Sequence, residues 1–365
     1  MNPSTGQIEN DWLLDRALGA LVGACIGDAS GASLERLGRF PSAGEVKAAM
    51  SLVANGSVAS RTVTAGGVTD DGEMTISLAN ALAEMCRSSE SDGAEARFDL
   101  ETVARHYAKW VRTNPSDMGL TVGASVGVAR SNQRSFLELV EAEGFAIQMQ
   151  RGAAFEAKLA AASKSNGQLM RTAPLALFAH RLSDAELARL CKADCSLSHI
   201  APACSDAATA YCVALSTLLR RQEATGSDAF DAARQWTDEC AGDEVRGWMA
   251  DIVRGDIVPA WPNAGFAKVA FSHALHRLRQ FDSAQKVSDA TWDDVLCAVL
   301  MAGGDTDTNA CIAGALIGAL VGFNRLPLSS RARVLGHQSN RPDFLAPVTL
   351  LDTVPAIIRR APTRL

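Results

Sequence analysis

Aromatic side chains make up only 5% of the 365 residues, and just two of them are tyrosines. Sheets draw on aromatic and β-branched residues, so this scarcity beside abundant Ala and Leu argues for helices. No stretch alternates Val, Ile, Thr and aromatics for long enough to require a strand. An excess of positive charge is also missing. The formal net charge is -6, which leaves no electrostatic footprint for nucleic acid or an anionic membrane surface. The nine cysteines are odd in number and include no CxxC pair, so they form neither a disulfide framework nor a compact zinc finger. They read as small reduced core residues. Met1 to Asp11 is polar and lacks the basic and apolar regions of a signal peptide, and the expectation is a cytoplasmic, reducing compartment. The apolar run Ala310 to Phe323 falls short of the roughly 18 residues of a membrane span and reads as a buried helix.

What is present is a core and a glycine pattern. Hydrophobic residues reach 47% and charged residues 21%, ordinary for a globular domain. From Trp12 onward an apolar periodic segment carries Gly19, Gly23, Gly27 and Gly31, and a second segment near the C-terminus carries Gly314, Gly318 and Gly322. Glycine every fourth residue bares one helix face, at a cost in propensity that only close packing offsets. The two segments are therefore expected to be central and closely apposed, bringing Asp28 and Glu35 near Asp305 to Thr308.

Further helices are expected from Asp71, over Leu100 to Val111, Leu120 to Arg130, Asp206 to Arg221, Asp228 to Cys240, Glu244 to Val253 and Gly265 to Arg279. Capping boxes are expected at Ser183 to Glu186 and Thr291 to Asp294, and Ser116 or Asp117 is expected to cap the helix at Leu120. Arg36 to Val68 reads mainly as loop, with a helical patch around Glu45 to Leu52. The expected fold is all-α: one compact, orthogonal multi-helix domain over 12–325 with roughly a dozen or more helices at typical lengths. Residues 1–11 would be an N-terminal extension and 326–365 a C-terminal segment packed on the domain.

Two oxygen-rich clusters stand out, Thr69-Asp70-Asp71 and Gly303-Gly304-Asp305-Thr306-Asp307-Thr308, each opening a helix. Neighbouring carboxylates repel unless something positive lies between them, and carboxylates with hydroxyls suit Mg²⁺ or Mn²⁺ better than zinc. Together they offer more groups than one octahedral Mg²⁺ uses, so the expectation is that the clusters meet around two ions roughly 3.5 to 4 Å apart. The plainer alternative is that both are helix caps.

These residues lie within a larger set of motifs. They are Gly19 to Asp28 with Glu35 downstream, Val68 to Met74, Trp110 to Gly119, Asn166 to Pro174, Ser198-His199, and Gly303 to Thr308 with its glycine helix, in that order along the chain. In these the sequence resembles the ADP-ribosylglycohydrolase family. The resemblance implies an all-α fold with two Mg²⁺ (or Mn²⁺) ions in a cleft, and a substrate in which ADP-ribose is attached to a protein side chain or a small acceptor. It implies Thr69, Asp70, Asp71, Asp305, Asp307 and Thr308 as metal ligands, with Glu35 beside them as a further ligand or acid/base group. Asp117 lies in Asn114-Pro-Ser-Asp-Met-Gly119, a motif resembling that of the arginine-directed branch, and is the candidate second carboxylate, with an N-cap as its alternative. Asn166, Gly167, Met170 and Arg171 resemble the family's motif beside the ADP-ribose cleft, although Arg171 is also readable as a salt-bridged or solvated arginine. His199 would line the cleft. Its alternative, a soft-metal ligand with Cys191 and Cys195, would need Cys204 or Cys212 as the fourth ligand. Phe266 would stack near the adenine, unless it is core.

The sequence departs from the family pattern at Gly72, where many relatives place threonine, in the long Arg36 to Val68 loop, and in the tail after Arg325. The expected function is hydrolysis of ADP-ribose from arginine on a protein, reversing mono-ADP-ribosylation. The alternatives are a hydrolase of serine-linked or small-molecule ADP-ribose, and an immunity-type protein that binds and blocks an ADP-ribosyltransferase toxin. An ADP-ribosylated protein is the expected partner; nucleic acid and membrane are not.

Overall fold

Helices carry nearly all of the regular structure. The computed structural model describes residues 11–35, 37–52, 56–58, 61–92, 95–160, 162–283, 286–288 and 290–364. In chain order come α1 (Trp12–Gly31), α2 (Ala43–Met50), β1 (Gly56–Val58), β2 (Arg61–Val63), α3 (Asp70–Asp92), α4 (Leu100–Val111), α5 (Leu120–Ser125), α6 (Arg134–Ala160) and α7 (Ala173–Phe178). Then follow α8 (Asp184–Ser196), α9 (Pro202–Arg220), α10 (Gly226–Cys240), α11 (Asp243–Arg254), α12 (Ala267–Leu278), α13 (Thr291–Met301), α14 (Thr306–Val321), α15 (Leu328–Leu335) and α16 (Leu350–Arg360). The all-α expectation holds, apart from the antiparallel ribbon β1–β2, which falls inside the segment read as loop. The expected polar N-terminal extension lies, up to residue 10, outside the described residues.

Helices α1 and α14 form the axis of the molecule, and their glycines set how close they come. A methyl group on Gly19 would lie 2.2 Å from Gly318 O, on Gly23 2.5 Å from Gly314 O, and on Gly27 2.0 Å from Ala310 O. The helices therefore run antiparallel, backbone against backbone, with Cα–H groups facing carbonyl oxygens. Every residue from Ala17 to Gly31 and from Thr306 to Val321 is buried. Around this pair pack α3, α9, α12, α13 and, from the C-terminal segment, α15 and α16.

Local signals explain most boundaries. The capping box at Ser183/Glu186 is made as expected, and the same chemistry starts α2 at Ser42/Glu45 and α10 at Thr225/Asp228. The box expected at Thr291 is not made. Thr291 Oγ1 instead accepts from Ser288 N at 2.9 Å, and α13 begins without a side-chain cap. Helix α4 stops at Val111, ahead of Asn114-Pro115, where Asn114 adopts a left-handed φ of 56°.

Candidate metal centre and cleft

The antiparallel axis sets the last turn of α1 against the first turn of α14. Thr306 Oγ1 donates to Gly31 O at 2.8 Å, and Asp28, one turn earlier on α1, is fully buried. A carboxylate near a helix C-terminus opposes the dipole and needs compensation. Asp28 takes it from the opening of α3: Thr69 N and Gly72 N each donate to Asp28 Oδ2 at 2.8 Å. This close approach also accounts for Gly72, since a Cβ there would lie 2.6 Å from Asp28 Oδ2 and 2.7 Å from Val68 Cβ.

The two acidic clusters meet. Carboxylate oxygens of Asp28, Asp71 and Asp307 lie within 4.8 Å of one another, and so do those of Glu35, Asp305 and Asp307, with Asp307 common to both groups. Thr69 Oγ1 caps α3 by accepting from Asp71 N at 3.4 Å, but capping does not account for the carboxylates of Asp71 and Asp305. Asp305 occupies the N-cap of α14 but makes no capping bond, and its Oδ2 accepts instead from Asn166 Nδ2 at 2.7 Å. Asp71 Oδ2 accepts from Thr69 Oγ1 at 2.9 Å, while Asp71 Oδ1 is buried with no hydrogen-bond partner among the described residues.

Burial, followed by the charges of Asp70, Asp28 and Asp305, pushes the Asp71 carboxyl well above the usual range. Asp307 is pushed up in the same direction by burial and then by Asp71, Glu35, Asp305 and Asp28. Such crowding is relieved by a cation, which lets the carboxylates ionise together. The donors are oxygens only, so the residues present fit a hard divalent ion such as Mg²⁺ or Mn²⁺ rather than zinc.

The cluster opens into a cleft of about 530 Å³. Glu35, Asp70, Asp71, Asp305, Asp307 and Thr308 form one side, and Asp117, Asn166, Gly167 and Met170 lie along it as well. Asn166 is fixed by its main chain, with N donating to Gly265 O at 3.0 Å, next to a bridge between Ser165 and Phe266. Asp117 is not the cap of α5. Gly119 holds that position with no side-chain bond, and Asp117 Oδ1 accepts from Met118 N at 2.8 Å.

Four expected site residues do not line the cleft themselves. Thr69 is buried behind the carboxylates and does not line the cleft. Arg171, expected beside the cleft, is fully buried: Nε meets Asp194 Oδ2 at 3.2 Å, Nη2 donates to Ser198 Oγ at 2.8 Å, and the guanidinium lies 4.8 Å from the centre of the Tyr107 ring. His199 is 2% exposed and reaches the cleft only through Ser165, whose Oγ lies 2.7 Å from Nε2. Its other nitrogen faces Ser198 Oγ at 2.9 Å, so the ring has none left for a soft metal. Phe266 packs edge-on against Trp248 at 5.5 Å, as core residues do, and does not line the cleft.

Sequence reasoning brought Asp28 to the site but gave it no ligand role. An acidic residue at the unfavourable end of an apolar glycine helix was the available signal. Ser165 and the pair Glu73–Arg341 went unread. Arg341 joins Glu73 to Thr113, just ahead of the segment that carries Asp117.

Known proteins resemble the chain in sequence and in fold. The family described as ADP-ribosylglycohydrolase matches residues 9–355, a span that runs through α15 to within α16. The ADP-ribosyl-dinitrogen reductase glycohydrolase of Rhodospirillum rubrum is 26% identical over 321 residues, covering 86% of this chain and 88% of that one. A solved structure described as an ADP-ribosylglycohydrolase-related protein complex has the same fold, with a TM-score of 0.65 at 21% identity over 96% of this chain and 99% of the other. No helix among the described residues is long and apolar enough to cross a membrane.

Proposed function

The chain belongs to the ADP-ribosylglycohydrolase family, hydrolases of ADP-ribosyl bonds, and on that premise we propose that it cleaves the N-glycosidic bond between ADP-ribose and an arginine of a protein. The observation that carries this reading is the convergence of Asp28, Asp71 and Asp307 with Glu35 and Asp305 at the wall of a cleft that also holds Asp117. Asp70, Asp71, Asp305, Asp307 and Thr308, with Asp28 and with Thr69 held against Asp71, would hold two Mg²⁺ or Mn²⁺ ions. Bound there, such ions supply positive charge that orients ribose hydroxyls and makes a nearby water more acidic.

The chain's own groups supply the rest. Hydrolysis adds water to the anomeric carbon, breaks its bond to the guanidine nitrogen, and needs a proton on the departing group, because neutral guanidine is a better leaving group than its anion. Glu35, beside Asp305 and Asp307, is placed to take a proton from the attacking water. Asp117 is the carboxyl group offered to the leaving guanidine. Asn166, held by Asp305 and by Gly265 O, presents a rigid polar edge to the substrate.

The test is release of ADP-ribose from arginine-modified and serine-modified target proteins, each with Mg²⁺ and with EDTA. Release from the arginine target alone, abolished by EDTA, is the expected result. Release from the serine target alone would move the substrate to the other linkage. Release from neither would leave a protein that binds its partner without turning it over.

A further inference from the structure

A chain of hydrogen bonds runs from the buried Arg171 to the cleft, and its direction is decided at the buried end. Guanidinium only donates, so Ser198 Oγ accepts from Arg171 Nη2 at 2.8 Å. Ser198 is fully buried, and the acceptor in reach for its own proton is His199 Nδ1, at 2.9 Å. If Nδ1 carried a hydrogen, two donors would face one hydroxyl, whose proton would be buried without an acceptor, an arrangement native interiors avoid. The imidazole therefore holds its hydrogen on Nε2. Burial and the neighbouring Arg171 charge both disfavour a second proton, bringing its pKa down to about 3.

Nε2–H then donates to Ser165 Oγ at 2.7 Å, which turns the Ser165 hydroxyl hydrogen away from the ring and into the cleft. Beside it, Ser163 Oγ accepts from Thr121 Oγ1 at 2.8 Å and from Ser165 N at 3.3 Å, so its hydrogen is also free to turn outward. The one lysine in this segment, Lys164, spends its ammonium on Glu244 at 2.8 and 2.9 Å. The cleft wall here offers hydrogens with filled acceptor sites. A ribose hydroxyl both donates and accepts, whereas a phosphate oxygen only accepts.

We propose that Ser165 is a hydrogen-bond donor to a phosphate oxygen of the bound ligand, its polarity fixed from Arg171 through Ser198 and His199; this rests on reading the cleft as an ADP-ribose site. Arg171 and His199 are positioning residues in this scheme, acting through Ser165.

The test has two arms on the full-length protein. Nitrogen NMR of isotope-labelled imidazoles, with the His199 signals assigned by their loss in His199→Gln, should show Nε2 protonated and Nδ1 bare. Calorimetry should show Ser165→Ala weakening ADP-ribose binding by about tenfold to a hundredfold, as loss of a hydrogen bond to a charged group does. Ser165→Thr should retain it, and adenosine, which has no phosphate, should bind wild type and Ser165→Ala alike. A hydrogen on Nδ1, or unchanged ADP-ribose affinity in Ser165→Ala, overturns the proposal and leaves the cleft assignment standing. Failure of the wild type to bind ADP-ribose overturns the cleft assignment and the role of Ser165 with it.

Discussion

Arg341 closes on Glu73 through two nitrogens, Nε to Oε1 at 2.6 Å and Nη2 to Oε2 at 2.8 Å, although 268 positions separate them in the chain. Glu73 also accepts from Trp110 Nε1 at 2.8 Å, and Arg341 donates to Thr113 O at 3.0 Å and to Thr113 Oγ1 at 2.6 Å. One guanidinium thus ties the start of α3, the end of α4 and the approach to Asp117. Arg341→Ala should destabilise the fold by about 2 to 3 kcal/mol, below the full cost of orphaning a buried carboxylate because Arg341 keeps some contact with water. It should also slow turnover by loosening the Asp117 segment. Denaturant midpoints and steady-state rates check both, and an unchanged midpoint would refute the clamp.

Crowded carboxylates that hold a cation should reveal themselves when the cation is withheld. In EDTA, Asp307→Asn should melt no lower than wild type, because it removes one of several mutually repelling buried charges. With Mg²⁺ or Mn²⁺ the wild type should gain several degrees, since binding to the folded state stabilises it by mass action, and the variant should gain little. Turnover by the variant should be lost. Thermal melts with and without metal test this, and an equal metal-induced rise in both proteins counts against Asp307 as a ligand.

The central helix pair makes a contrast between two glycines. Gly318→Ala places a methyl group 2.0 Å from Gly19 O, which the backbones accommodate only by moving apart, and should cost about 3 kcal/mol or more. Gly247→Ala, on an exposed face of α11 with nothing within 4 Å of the new methyl group, should stabilise by about 0.5 to 1 kcal/mol. Chemical denaturation of both variants decides, and a mild effect at Gly318 would refute the backbone contact.

Acid sensitivity should trace in part to His199. Its folded pKa of about 3 lies below the ordinary 6.5, so between these values the unfolded chain binds more protons. The fold is unaffected above pH 6.5 and loses stability as the pH falls toward 3, by about 2 kcal/mol at pH 5. His199→Gln should flatten that part of the profile. His106, His180 and His273 are depressed by burial in the same direction but remain in both proteins, so they cancel in the difference. A wild-type and variant pair with parallel profiles between pH 7 and 5 would refute this.

Periodicity made the helices legible, because apolar spacing and caps are local. The glycine spacing made the central pair legible for the same reason, and with it the meeting of Asp28 and Glu35 with Asp305 and Asp307. What stayed hidden depended on partners remote in the chain. Arg171 looks like a cleft residue until Asp194 and Ser198 claim its guanidinium, and nothing in its own motif announces them. Asp117 and Thr291 both carry cap-like chemistry, yet each spends it on a nearby amide outside the helix instead. The tail after Arg325 offered no pattern, but it packs onto α3 through the Arg341–Glu73 ion pair, the hydrogen bonds of Asn80 with Phe344 O and Thr353 Oγ1, and the apolar face of α16.

The seam between α1 and α14 has one further meaning. Each carbonyl oxygen lies where the opposite helix has no room for even a methyl group, so the helices fit in a single register, and a slip of one residue would drive Val22 and Ile26, or Ala24 and Asp28, into the seam. Asp28 and Asp307 are thereby spaced by main chain and not by adaptable side chains. The gap between them works like the jaw of a fixed spanner, cut to size before any ion enters and indifferent to whatever loops are exchanged around it.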